Sequence, residues 1–185
     1  MTTAGFTATV GLPLPSTDIK LLDANHMETA PGEVGEICAK GPQVVKGYWQ
    51  RPEADAAAFT ADDYFRTGDI GVFNEQGFLK IVDRKKDMII VSGFNVYPNE
   101  VEAVAAACTG VAECACVGRP DEKTGEAVRL FIAQARGSFL TETEVIAHCR
   151  RELAAYKVPR EVRFLEALPK SNVGKILRKD LRAIP

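Results

Sequence analysis

Between Ile81 and Val91 the chain reads Ile-Val-Asp-Arg-Lys-Lys-Asp-Met-Ile-Ile-Val. Two apolar, β-branched runs flank five consecutive charges, with no glycine or proline between them. The runs Phe78–Val82 and Met88–Val91 each predict a strand. Five charged side chains do not fit inside a buried sheet, so the chain is expected to surface between the strands. A tight hairpin would carry turn residues at the break, and none is present. The pattern reads as a passage between two bodies; from composition alone, the plainer reading is an exposed charged loop.

Length allows one ordinary domain, or a small domain with part of another, in 185 residues. A net charge of −2 gives no general attraction to nucleic acid. The basic pairs Lys85-Lys86, Arg150-Arg151 and Arg178-Lys179 are dispersed and not interleaved with aromatics, so no nucleic-acid module is expected. The opening Met-Thr-Thr-Ala-Gly-Phe lacks the layout of a signal peptide. No apolar run approaches the roughly 20 residues of a membrane helix. The five cysteines (Cys38, Cys108, Cys114, Cys116 and Cys149) show no zinc-type spacing and read as small buried residues. Cys114 and Cys116 are expected on opposite faces of one strand. No metal site is expected, and the reading is of a reduced, cytoplasmic chain.

The part before the charged run is rich in strands and turns. Asp18–Asp23 and Gly35–Gly41 read as strands, Glu53–Phe59 as a short helix, and Asn74–Gly77 as a turn. After the run, α and β segments alternate. Pro98 suits the first position of a helix whose inner face is Val101, Val104, Ala105 and Cys108. Val111–Val117, Ala127–Ala135 and Val162–Leu165 read as strands. Thr141 and Glu144 make a capping box for a helix with Val145, Ile146, Cys149 and Leu153 inward. Lys175–Arg182 reads as a terminal helix. The fold class is α+β: a β-rich part over 1–83, the end of a larger domain, then a small α+β domain over 84–185. The hinge falls near 84–87.

Three places could carry chemistry. Asp69 follows Gly68 in Arg66-Thr67-Gly68-Asp69, where a glycine lets the backbone turn and present a carboxylate to vicinal hydroxyls. A turn-stabilising or capping aspartate is the plain alternative. Arg84 offers a fixed cationic fork for a ribose or phosphate, or else a surface ion pair. Leu168-Pro169-Lys170-Ser171-Asn172-Val173-Gly174-Lys175 is a flexible loop ending in a lysine able to meet a transferring phosphate. It lacks the Walker spacing.

Their order is more specific than any one of them. Gly35–Pro42 with Gly47-Tyr48-Trp49, then Tyr64–Asp69, then Asp83–Asp87 with Ser92–Pro98, then Pro169–Lys175, together resemble the adenylate-forming, AMP-binding enzymes. Within these the chain is similar to the bacterial long-chain fatty-acid–CoA ligases. Asp62–Lys86 matches the family's signature, with Tyr64, Phe65 and Arg66 where Trp, Leu and His are commoner. Val173 stands where many relatives have Ser or Thr.

The resemblance implies a carboxylate joined to AMP from ATP, then passed to the thiol of coenzyme A, with Mg²⁺ assisting. It implies that Asp69 and Arg84 hold the nucleotide ribose, Lys86 is the pivot, Lys175 acts in adenylation, and Gly93 lines the pantetheine tunnel. A ligase for medium-chain or aryl acids, a carrier-loading enzyme and a non-catalytic module are the alternatives. The family's phosphate loop, adenine segment, Mg²⁺-binding Glu and acyl pocket fall ahead of Met1, which places Met1 inside the last N-terminal subdomain. The isolated chain is therefore expected to be inactive, to bind ATP or AMP no tighter than millimolar, and to expose apolar surface that favours self-association. Peripheral attachment of the parent enzyme to the inner membrane face is a further expectation.

Overall fold

The computed structural model describes residues 9–185. The opening Met1–Phe6, read above for a leader, lies outside them. Two compact units divide the chain, one ending at Lys86 and the other spanning Asp87–Pro185.

The first unit is an antiparallel meander of β1 (Asp18–Leu22), β2 (Gly35–Lys40), β3 (Phe65–Phe73) and β4 (Leu79–Arg84), in that order. A short helix, α1 (Pro52–Ala58), lies between β2 and β3 in sequence. Proline at its start sets φ for the first turn, and Ala favours the remainder. The strands place Leu21, Ile37 and Leu79 in one apolar cluster, with Ile19 and Phe73 against it. Val10, Leu12, Leu14, Val45 and Trp49 of this unit stay exposed.

The second unit contains β5 (Ile89–Val91), β6 (Phe94–Val96), α2 (Pro98–Ala106), β7 (Val111–Asp121), β8 (Gly125–Gln134), α3 (Glu142–Glu152), β9 (Glu161–Leu165) and α4 (Arg178–Arg182). β7 and β8 form a long antiparallel hairpin, and β9 returns through α3 to lie parallel to β8. Both faces of this sheet are covered. Cys114, Cys116, Val128, Leu130 and Ile132 pack with residues of α2 and α3. Ala115, Val117, Phe131 and Ala133, one step out of phase, pack with Leu168 and Leu181. Burial on both faces explains why β8 carries consecutive apolar residues, Ala127-Val128 and Leu130-Phe131-Ile132-Ala133, rather than alternating ones. It also corrects the expected placement of Cys114 and Cys116: residues two apart in a strand share a face, and both lie in the α2–α3 cluster.

Three further expectations change. The charged run does not surface as a whole, since Asp83 and Asp87 at its ends are buried and only Arg84, Lys85 and Lys86 are exposed. The division between units follows Lys86 rather than residue 83, because Arg84 still pairs with Asp69 in the β3–β4 ladder. The tail does not form one helix from Lys175. Lys170 and Ile176 form a bridge, and the Leu177 amide donates to the Pro169 carbonyl at 2.8 Å. Helix geometry therefore begins only at Arg178. No helix among the described residues is long and apolar enough to cross a membrane.

Candidate functional site

In the first unit, β3 breaks register with both of its neighbours. Its pairing to β2 slips between Glu36 and Cys38, and its pairing to β4 slips between Ile70 and Gly71. The extra residues, Thr67-Gly68-Asp69, rise as a hump, which is how a bulge re-aims a side chain. Gly68 adopts φ +73 with open space where a Cβ would stand, so backbone conformation alone favours glycine here. The Thr67 hydroxyl donates to the Ile37 carbonyl at 2.8 Å and accepts from the Asp69 amide at 3.1 Å, pinning the hump from below.

Asp69 and Arg84 face each other across the β3–β4 ladder, with Arg84 Nε 3.3 Å from Asp69 Oδ1. The arginine side chain is 62% exposed and the aspartate 28%. They line a cleft of about 330 Å³ with Thr67, Gly68, Lys85 and Lys86. A carboxylate oxygen and a guanidinium fork at the rim of one cleft can accept from and donate to a vicinal diol. Asp69, Arg84 and Lys86 are thus brought together.

Beneath them lies a residue that sequence reasoning passed over. Glu36 is buried on β2 and receives Lys85 Nζ at 2.8 Å and Arg66 Nη1 at 3.1 Å. Arg66 Nη2 also stands 2.9 Å from His26 Nδ1. Arg66 precedes the hump and Lys85 follows Arg84, so one buried carboxylate ties together the strands that carry Asp69 and Arg84. Burial, and then Glu36 itself, push the neighbouring Cys38 thiol above its ordinary pKa. The available signal was a glutamate directly before the apolar run Ile37-Cys38-Ala39 in a short strand.

The remaining expected residues lie in the second unit, on separate turns. Lys175 is exposed on the hairpin between β9 and α4. That hairpin is closed by Ser171 N to Lys175 O at 2.8 Å and Gly174 N to Ser171 O at 2.9 Å, so the expected flexible loop is an ordered turn. Gly93 forms with Ser92 the two-residue turn between β5 and β6, with φ +84 and +52 respectively. Both central residues left-handed is the tight hairpin geometry that favours glycine. A Cβ at Gly93 would meet nothing within 4 Å. Within its own unit, turn conformation rather than crowding therefore accounts for the glycine. Among the described residues no three His, Cys, Asp or Glu side chains converge to hold a metal ion.

The family model described as AMP-binding enzyme C-terminal domain matches residues 100–175, and that described as AMP-binding enzyme matches residues 2–49. The chain is 58% identical over 173 residues to a long-chain-fatty-acid–CoA ligase of Salmonella typhimurium, covering 94% of this chain and 30% of the relative. The corresponding ligase of Escherichia coli O6:H1 is 56% identical with the same coverage. The ATP-bound crystal structure of MatB from Rhodopseudomonas palustris superposes with a TM-score of 0.90 at 37% identity, covering 95% of this chain and 35% of that one. The chain thus spans about 30% of the length of the curated relatives it matches.

Proposed function

The chain belongs to the AMP-binding, adenylate-forming enzymes, and from that premise we propose that it serves an ATP-dependent long-chain fatty-acid–CoA ligase. In the reaction, a fatty carboxylate oxygen attacks the α-phosphorus of ATP and pyrophosphate leaves. The CoA thiol then attacks the acyl carbon of the acyl-AMP, and AMP leaves. The observation that carries this reading is the Asp69–Arg84 pair at the rim of the cleft, in a chain 58% identical to such a ligase over 94% of its length.

Asp69 accepts hydrogen bonds from the ribose hydroxyls and Arg84 donates beside it. The Glu36–Lys85–Arg66 network holds both strands in register beneath. Lys175, on its ordered turn, supplies positive charge to the phosphate oxygens during adenylation. The Ser92–Gly93 turn gives the thin pantetheine arm a close backbone approach in the second step. Lys86 is where the backbone turns between the two working poses. The chain by itself holds ATP no tighter than millimolar, because two or three exposed hydrogen bonds at about 1 kcal/mol each do not offset immobilisation.

The test is an assay of the full-length protein with palmitate, ATP, Mg²⁺ and CoA. Pyrophosphate release and palmitoyl-CoA are both expected. Absence of both products overturns the reading.

A further inference from the structure

Asp87 is the first residue of the second unit, directly after Lys86, and its carboxylate is enclosed. Arg182 Nη2 stands 2.6 Å from Asp87 Oδ1, and Arg178 Nη1 stands 3.7 Å from Oδ2. Both arginines come from α4. Arg178 reaches further: its Nη2 donates to both Glu102 oxygens at 2.8 Å and to Asn99 Oδ1 at 2.9 Å, and its Nε donates to Glu102 Oε1 at 3.2 Å. Glu102 Oε1 also accepts the Cys116 amide at 2.7 Å, which connects the network to β7. Leu181 on the same helical turn is fully buried.

This places α4 as the anchored foot of the hairpin that carries Lys175, three residues before Arg178. The other foot is held as well, by buried Leu168 and by Lys170 against Glu113 on β7. Exposed ion pairs contribute little because water competes with them. Here the Asp87, Arg178 and Glu102 side chains are 10%, 21% and 20% exposed, and the guanidinium engages its partners through several fixed bonds. The tip is open while the base is locked.

We infer that Asp87 is a positioning residue for Lys175. Through Arg182 and Arg178 it braces the foot of the lysine hairpin against the segment that leaves the pivot. A turn of the backbone at Lys86 then carries the Lys175 ammonium with it instead of being absorbed by slack in the loop. The inference rests on the adenylation role proposed for Lys175.

The test uses the full-length protein with Asp87→Asn and, separately, Arg182→Gln, the latter at the more exposed end of the pair. Acyl-AMP formation is followed by pyrophosphate release, and thioester formation is followed from preformed acyl-AMP. Losing one charge-assisted contact should slow the first by about ten-fold and leave the second within about two-fold. Arg182→Lys, which keeps the charge, should recover most of the loss. Amide exchange at Ser171, Gly174 and Leu177 should quicken in Asp87→Asn. Equal loss in both half-reactions, or none in the first, overturns the positioning role. Unchanged exchange at those three amides overturns the brace itself. Pyrophosphate release absent from the unmutated protein would instead sink the proposed function, and the exchange measurement still decides the brace.

Discussion

In the unit ending at Lys86, the apolar cluster is Leu21, Ile37 and Leu79, and the carboxylates of Glu36 and Asp83 are as buried as those side chains. In Asp87–Pro185 the larger cluster alone holds fifteen buried residues, and a second one covers the opposite face of the sheet. The first unit keeps an open cleft over a network of charges, so its geometry depends on hydrogen bonds that water can contest. The second is an apolar body whose turns at Ser92-Gly93 and Ser171–Lys175 are appended to a packed base. The difference predicts a division of labour. On the function proposed above, residues of the first unit should hold a nucleotide through both half-reactions, and those of the second should each serve one.

The largest expected effect tests that division directly. Lys175→Ala should lower acyl-AMP formation in the full-length protein by about 10²–10³-fold, as for loss of one charge-stabilising donor. Thioester formation from preformed acyl-AMP should change little. Asp69→Ala should depress both half-reactions together. Quench-flow measurement of each step decides it, and the comparison breaks if Lys175→Ala hits both steps alike.

Next in size is the charged support of the first unit. Glu36→Gln keeps the shape but leaves Arg66 and Lys85 without their counter-ion, at about 1–3 kcal/mol. Amide exchange should quicken across β2 and β3 and leave β7 and β8 unchanged. Equal protection in both units would mean that the buried carboxylate is not what orders the meander.

Gly93 follows. A left-handed φ costs an L-residue about 1–2 kcal/mol, so Gly93→Ala should lower stability by roughly that amount. Gly93→Asn, which tolerates the turn better, should lower it less. A role in admitting the pantetheine arm requires thioester formation to fall in both variants while acyl-AMP formation holds. If the loss tracks stability alone, the glycine serves only the turn.

Much of the architecture was legible because each segment carries its own period or cap. β8 is dominated by consecutive apolar residues, and Thr141 and Glu144 form the capping box as spaced: the Glu144 amide donates to Thr141 Oγ1 at 3.3 Å and the Thr141 amide to Glu144 Oε2 at 2.8 Å. The β5–β6 turn at Ser92-Gly93 was missed because β6, on its far side, is only three residues long, too short for a period. In the site, Asp69 and Arg84 stood out beside a glycine and within a charge run. Glu36 and Asp87 did not, since a carboxylate's burial shows only through partners far along the chain, 49 residues on for Lys85 and 95 for Arg182.

The smallest expected contrast is in acid. The Glu144 carboxyl is held below its ordinary value of 4.5, first by the Thr141 hydroxyl and then by the Thr141 amide. In the first unit, Asp62 is lowered from 3.8 to about 2, first by the Lys20 ammonium and then by the Thr60 hydroxyl. A carboxyl whose folded pKa lies below its unfolded one stabilises the fold above the unfolded pKa. That contribution disappears as pH falls through the folded value. The Glu144 contribution to the first turn of α3 should therefore begin to decline once pH drops below about 4.5. The Asp62 contribution begins to decline only below about 3.9 and persists towards pH 2. Both groups are on the surface, so the effect on midpoint temperature is small. Carbon-13 titration of the two carboxyls measures it without relying on that midpoint. Glu144→Gln should differ from the unmutated chain at neutral pH, and the two should converge in acid. A Glu144 carboxyl titrating at or above 4.5 would show that the capping box gives α3 no charge-dependent support.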